Sequence, residues 1–214
     1  RNHSVLDHLR NLCCNCSCDF YCRLYATGWF ALSVEQTTLV FGLGVAGLAV
    51  ANALHERGET VILADDEATK QHEDFARALN CEFIDATDET AVVSTLKRIS
   101  RLAPAPGISE SHHVMATARQ MGLTISSELE LAYNIEELRT GGPRPMLGIT
   151  GTDGKTTTTL MTAAMLHAAG HKSLAVGNTE TPLIAALNTD AQVFAVECSS
   201  FRLANCENFR TRAS

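Results

Sequence analysis

Two glycine-rich stretches constrain this chain more than any other feature. Gly42-Leu43-Gly44-Val45-Ala46-Gly47 and Gly148-Ile149-Thr150-Gly151-Thr152-Asp153-Gly154-Lys155-Thr156 each stand between a short apolar run and a helix-forming stretch. A strand that turns on glycine directly into a helix opens a βαβ unit, and the strands of such units run parallel because the helix carries the chain back across the sheet. The chain therefore reads as α/β, with sheets covered by crossover helices.

The rest of the sequence continues the alternation. After an apolar run at Thr38–Phe41, a helix is expected from about Ala46 to Arg57, ending at Gly58, with a strand at Thr60–Ala64. Helices follow at Asp74–Leu79, Asp88–Ile99, His113–Met121 and Glu128–Leu138, with strands at Glu82–Ile84 and Leu123–Ile125. Ala103-Pro104-Ala105-Pro106-Gly107 is expected to break any regular element. Arg139-Thr140-Gly141-Gly142-Pro143-Arg144-Pro145 reads as a linker, after which strands at Met146–Thr150, Ser173–Val176 and Gln192–Glu197 alternate with helices at Lys155–Ala169 and Pro182–Leu187. This gives a Rossmann-like parallel-sheet domain over residues 37–138, a linker at 139–145, and a partial phosphate-loop α/β domain over 146–214.

Composition enters only to exclude. With 45% hydrophobic and 19% charged residues among 214, the chain can bury a core, and its net charge of −7 lacks the clustered Lys and Arg that a nucleic acid or an anionic membrane attracts. The nearly uncharged stretch from Thr38 to Leu54 is interrupted by glycines and falls short of the roughly 18 apolar residues of a membrane span. Five of the eight cysteines (Cys13, Cys14, Cys16, Cys18, Cys22) crowd into residues 1–36. A zinc site usually draws a second, separated pair of ligands, which is missing, so residues 1–36 read as a disordered or foreign extension.

The second glycine stretch carries the strongest chemistry. Glycines let backbone N–H groups turn onto a polyphosphate, the helix start adds the positive end of its dipole, Lys155 reaches the terminal phosphates, and the Thr156 hydroxyl suits Mg²⁺. The spacing departs from the common G-x4-G-K-[ST] form, since five residues separate Gly148 from Gly154. Glu197, at the end of an apolar run, is a second metal-side candidate. The first stretch has the Gly-x-Gly-x-x-Gly spacing of a diphosphate turn, with Asp65 and Asp66 after the next strand placed to approach a sugar or base. His112, His113, His167 and His171 lie at helix ends, where surface or dipole-complementing roles are expected, and Cys198 reads as a small buried residue.

Four landmarks together resemble the ATP-dependent Mur ligases of peptidoglycan synthesis. They are Leu39–Gly47, Pro106-Gly107-Ile108 with the later Glu128, the loop ending in Gly154-Lys155-Thr156, and Glu197-Cys198-Ser199-Ser200-Phe201-Arg202-Leu203. The last is similar to the Glu-Leu-Ser-Ser-Phe-Gln-Leu stretch of the D-glutamate-adding branch. The resemblance implies a cytoplasmic enzyme in which ATP phosphorylates the carboxylate of UDP-N-acetylmuramoyl-L-alanine and D-glutamate attacks the acyl phosphate. By the same resemblance, Lys155 is catalytic, and Gly151, Thr152, Asp153, Gly154, Lys155, Thr156 and Thr157 bind ATP. Val45, Ala46, Asp65, Asp66, Gly107, Asn178 and Ser199 contact substrate, and Thr156 and Glu197 hold Mg²⁺. The family's later His, its carbamylated Lys and its C-terminal domain would lie beyond Ser214, so the chain is expected to be about half an enzyme. Departures are the basic Lys97-Arg98-Ile99-Ser100-Arg101 where the family has an apolar strand, Ala105 in place of Ser, and Gly177-Asn178-Thr179-Glu180 in place of Gly-Asn-Ile-Gly. Two other readings are an NAD-binding oxidoreductase domain, which leaves Gly154-Lys155-Thr156 without a role, and a truncated product without function.

Overall fold

A computed structural model describes residues 36–214. The cysteine cluster and the metal-binding possibility attached to it lie outside the described residues.

The first sheet is built from β1 (Thr37–Phe41), β2 (Thr60–Asp65), β3 (Glu82–Asp85), β4 (Arg101–Pro104) and β5 (Thr124–Ile125), in the order β3-β2-β1-β4-β5. Every pairing is parallel, and the order reverses direction beside β1, the arrangement of a doubly wound sheet. Helices α1 (Val45–His55), α2 (Lys70–Ala78), α3 (Glu89–Leu96), α4 (His113–Gln120) and α5 (Glu128–Glu137) supply the crossovers and the last step out of the sheet. Successive β1 side chains divide between two cores. Leu39 and Phe41 pack with Ile62, Leu102 and Met115, while Val40 packs with Leu54, Leu63 and Leu129 on the opposite side. Local chemistry starts the helices, and α2 begins at Lys70, ahead of the Asp74 expected from the sequence. Thr69, Asp88 and Ser127 each accept a backbone N–H from the first turn that follows.

One expectation is corrected here. The Ala103–Gly107 stretch does not exclude regular structure, because β4 runs to Pro104. It pairs in register with Thr38–Phe41, and the proline stands at the last paired position, where the ladder ends. The basic run before it is accommodated as well. Arg101 opens the strand with its guanidinium donating to Glu59 at 2.6 Å and to the Thr38 hydroxyl at 2.9 Å, so the strand's own interior begins at the apolar Leu102.

The second sheet has the order β6-β8-β7, all parallel, from β6 (Met146–Ile149), β7 (Ser173–Gly177) and β8 (Val193–Glu197). Its helices are α6 (Lys155–Ala168), α7 (Leu183–Ala186) and the short α8 (Ser200–Leu203). Beyond β6, Arg212 donates to the Met146 carbonyl and Gly148 donates to the Ala213 carbonyl, adding a single bridge to that edge. Gly148 suits that edge, since a Cβ would lie 2.8 Å from the Thr211 side chain and make it shift.

Residues 36–214 form one compact unit, and one apolar cluster runs through both sheets, joining Val40, Leu63 and Leu129 to Leu183, Phe194 and Val196. Buried charge reinforces the junction. Arg144 pairs with Glu136, donates to the carbonyls of Leu187, Thr189 and Ala191, and lies 4.5 Å over the Phe194 ring. Glu130 accepts the consecutive N–H groups of Glu207, Asn208 and Phe209. No helix among the described residues is long and apolar enough to cross a membrane.

Candidate functional site

Parallel sheets place their ligand-facing turns at the carboxyl ends of the strands, and both glycine stretches lie there. After β6 the chain turns through Gly151 (φ +140°) and Gly154 (φ +74°), and Gly154 precedes α6 in the left-handed conformation. The first α6 hydrogen bond runs from Thr158 N–H to the Gly154 carbonyl, leaving the N–H groups of residues 155–157 without an intrahelical acceptor. Lys155 folds back over the turn, its Nζ donating to the carbonyls of Gly151 (2.9 Å) and Thr152 (3.0 Å). One helical position on, Thr156 Oγ1 donates to Glu197 Oε2 at 2.8 Å, and Asn178 Nδ2 donates to Glu197 Oε1 at 3.2 Å. Glu197 is 1% exposed at the end of the central strand β8.

The Gly177–Glu180 stretch forms a closed turn. Gly177 donates to Thr181, and Asn178 N–H donates to the Glu197 carbonyl. The turn therefore sets Asn178 against Glu197 through backbone and side chain together.

A cleft of about 570 Å³ opens in front of these groups. It brings together Gly107 from the turn after β4, Gly151, Thr152 and Lys155 from the phosphate-loop candidate, and Asn178 and Ser199 from the ends of β7 and β8. Asp153, Gly154, Thr156 and Thr157 lie in the same turn and helix start without lining it. The remaining sequence candidates gather elsewhere, around the first glycine turn. Val45 is exposed at the start of α1 and Ala46 is buried. Asp65 is committed to its own turn, accepting Leu43 N–H at 2.6 Å and Glu67 N–H at 2.9 Å. Gly47 has no room for a side chain, because a Cβ would meet the Gly42 carbonyl oxygen, whereas Gly44 faces open space. Asp66 pairs with His112 at 3.1 Å.

Asp66, His112 and His113 place their ligand atoms within 4.8 Å of one another. His112 caps α4 by accepting Val114 N–H at Nδ1, so the neutral ring carries its proton on Nε2 and donates it to Asp66. That bonding satisfies both groups without a cation. Cys198 is 3% exposed, and burial, with a smaller contribution from Cys206, pushes its thiol up to about 11. It stays protonated near neutrality, in keeping with a small buried residue.

The sequence reading missed Pro106, Ser200 and Phe201 as cleft-lining residues and the buried pairing of Arg202 with Glu128. Phe201 is 65% exposed, an uncommon state for a large aromatic, but nothing in a lone sequence signals that exposure. The Arg202–Glu128 pair joins positions 74 apart.

Fold and site define an all-parallel α/β protein with a Gly-Lys-Thr helix start facing a buried carboxylate. Comparison with known proteins makes the class specific. Residues 36–127 match the Mur ligase MurD-like N-terminal domain, and residues 149–211 match the Mur ligase middle domain. The UDP-N-acetylmuramoylalanine--D-glutamate ligase of Corynebacterium efficiens is 34% identical over 174 residues, covering 80% of this chain and 36% of that protein. The enzyme of the same name from Thermus thermophilus is 35% identical over 176 residues, covering 82% of this chain and 39% of that protein. Among solved structures, UDP-N-acetylmuramate:L-alanyl-gamma-D-glutamyl-meso-diaminopimelate ligase from Neisseria meningitides shares the fold, with a TM-score of 0.51 and 17% identity over 84% of this chain and 59% of that one. The chain belongs to the Mur ligase family. It spans little more than a third of the length of the curated relatives it matches.

Proposed function

We propose that this chain carries the substrate and nucleotide sites of an ATP-dependent cytoplasmic ligase that adds D-glutamate to UDP-N-acetylmuramoyl-L-alanine through an acyl phosphate. In this reading residues 37–138 hold the UDP-linked substrate, residues 139–145 link, and residues 146–214 bind ATP. The supporting observation is one cleft lined by Lys155 at the start of α6, by Gly151 and Thr152 of the turn before it, and by Gly107 of the first sheet. It suits a reaction that must bring a triphosphate and a carboxylate together.

The residues' roles follow from their chemistry. Lys155, released from the carbonyls it now contacts, would meet the terminal phosphates, where its charge offsets that developing on the transferring group. The helix-start N–H groups would orient the polyphosphate. Thr156 and Glu197 offer a hydroxyl and a buried carboxylate in contact, a hard oxygen donor set that fits Mg²⁺, with Asn178 fixing the carboxylate's second oxygen. Mg²⁺ bound there would neutralise phosphate charge. Gly107, at φ +91° with open space over its Cα, lets a substrate group lie against backbone.

Calorimetric titration of the chain and of its Lys155→Ala variant tests the reading. The unsubstituted chain should bind ATP with Mg²⁺ and bind UDP-N-acetylmuramoyl-L-alanine, while NAD gives no heat. The variant should lose at least about tenfold in ATP affinity, roughly one charged hydrogen bond, and keep the UDP compound. Unchanged ATP binding in the variant, or binding of NAD alone, overturns the proposal.

A further inference from the structure

The first sheet carries a second group of chemistry-bearing side chains that the ligase reading leaves without a task as a set. Asp66 follows β2, His112 caps α4 and His113 is that helix's first residue. Folding brings Asp66 to within 3.1 Å of His112, 46 positions away. The His112 ring is held from both sides, with Phe41 at 4.9 Å and His113 at 4.6 Å between ring centroids. His113 itself makes no side-chain hydrogen bond or ion pair among the described residues. All three residues are exposed or half-buried, so the group is reachable from solvent.

Two imidazoles and one carboxylate are the donor set of Zn²⁺ and its first-row neighbours, whereas Mg²⁺ and Ca²⁺ favour oxygen alone. Around a tetrahedral Zn²⁺ with bonds of about 2.0–2.1 Å, ligand atoms stand about 3.3 Å apart. The Asp66 and His112 atoms already have that spacing at 3.1 Å, and the His113 nitrogen lies within 4.8 Å of both, a gap that rotation of a half-exposed side chain closes. The Asp66–His112 hydrogen bond is complete as it stands, and a cation takes the position of its shared proton. That proton then moves to Nδ1 of the same ring, which stays neutral. The cost is the helix cap from Val114 N–H, a long bond at 3.3 Å that passes to solvent.

We propose that Asp66, His112 and His113 form a binding site for a first-row transition cation of the Zn²⁺ class, with the fourth position left to water. The bound cation ties the end of β2 to the start of α4.

The test is calorimetric titration of Zn²⁺ into the full chain carrying Cys13→Ser, Cys14→Ser, Cys16→Ser, Cys18→Ser and Cys22→Ser, which removes competing thiolates. In this background one equivalent should bind with a Kd below about 10 μM, and His113→Gln and Asp66→Asn should each weaken it at least about tenfold. Thermal unfolding should show Zn²⁺ raising the midpoint of the background chain more than that of either variant. Cu²⁺ serves as the spectroscopic probe, its paramagnetic resonance showing coupling to two imidazole nitrogens in the background chain and to one in His113→Gln. Binding weaker than about 100 μM in the background chain overturns the inference. So does an unchanged Zn²⁺ affinity in both variants, or a Cu²⁺ signal that keeps both nitrogens in His113→Gln, since either puts the cation elsewhere. Loss of cooperative unfolding in both metal-free variants makes the cluster structural and overturns it as well.

Discussion

At Gly177 the backbone takes φ +100°, and a Cβ there would lie 2.4 Å from the Glu197 carbonyl oxygen. Both facts serve one end, which is to bring the β7 turn close enough to β8 for Asn178 to meet the Glu197 carboxylate. Gly177→Ala should therefore cost about 2–4 kcal/mol in denaturant unfolding, combining a left-handed conformation with a clash against backbone that cannot rotate away. A cost under about 0.5 kcal/mol would show that the turn is less constrained than its geometry indicates. Asp65 teaches a related point at the same scale. Its place after β2 is readable from spacing, yet both carboxylate oxygens accept N–H groups of nearby turns. Its first task is to hold the glycine turn in shape, and any contact with substrate must share those oxygens.

Among the elements, the close of α5 and the start of β6 are joined by Glu136 and Arg144, 3% and 5% exposed at the side chain. Burial pushes the Glu136 carboxyl up, but the Arg144 hydrogen bonds and charge outweigh this and hold it below the ordinary range. A carboxyl lowered on folding contributes stability that is complete above the unfolded value, near about 4.3, and is lost as pH falls through the lower folded value. The stability gap between the parent chain and Glu136→Gln should accordingly stay level from pH 7 to about 5 and close only below about 4. Denaturant midpoints across that range check it, and a gap that closes by pH 5 would contradict the assignment. Element type was largely legible from glycine, capping residues and apolar runs. Two elements were not: the short α8, and β4, where prolines dominate the local signal while the neighbouring β1 supplies the partner that makes Leu102–Pro104 a strand.

For the whole molecule, the decisive feature is a core cluster that belongs to both sheets, reinforced by Glu128, Glu130 and Arg144, each of which bonds across the junction. Residues 36–214 should unfold in one cooperative transition, with tertiary and secondary signals coinciding. Two resolved transitions would mean that the sheets melt separately despite the shared core. Sequence alone determined the parallel α/β class, the two glycine turns and the Lys155-Thr156 helix start, because periodicity, glycine and capping act over a few residues. Tertiary structure alone decided that Thr156 and Asn178 converge on Glu197, that Gly107 and the loop line one cleft, and that Arg202 pairs with Glu128. Those are contacts between residues tens of positions apart, and their geometry follows from sheet order and core packing, which no local pattern encodes.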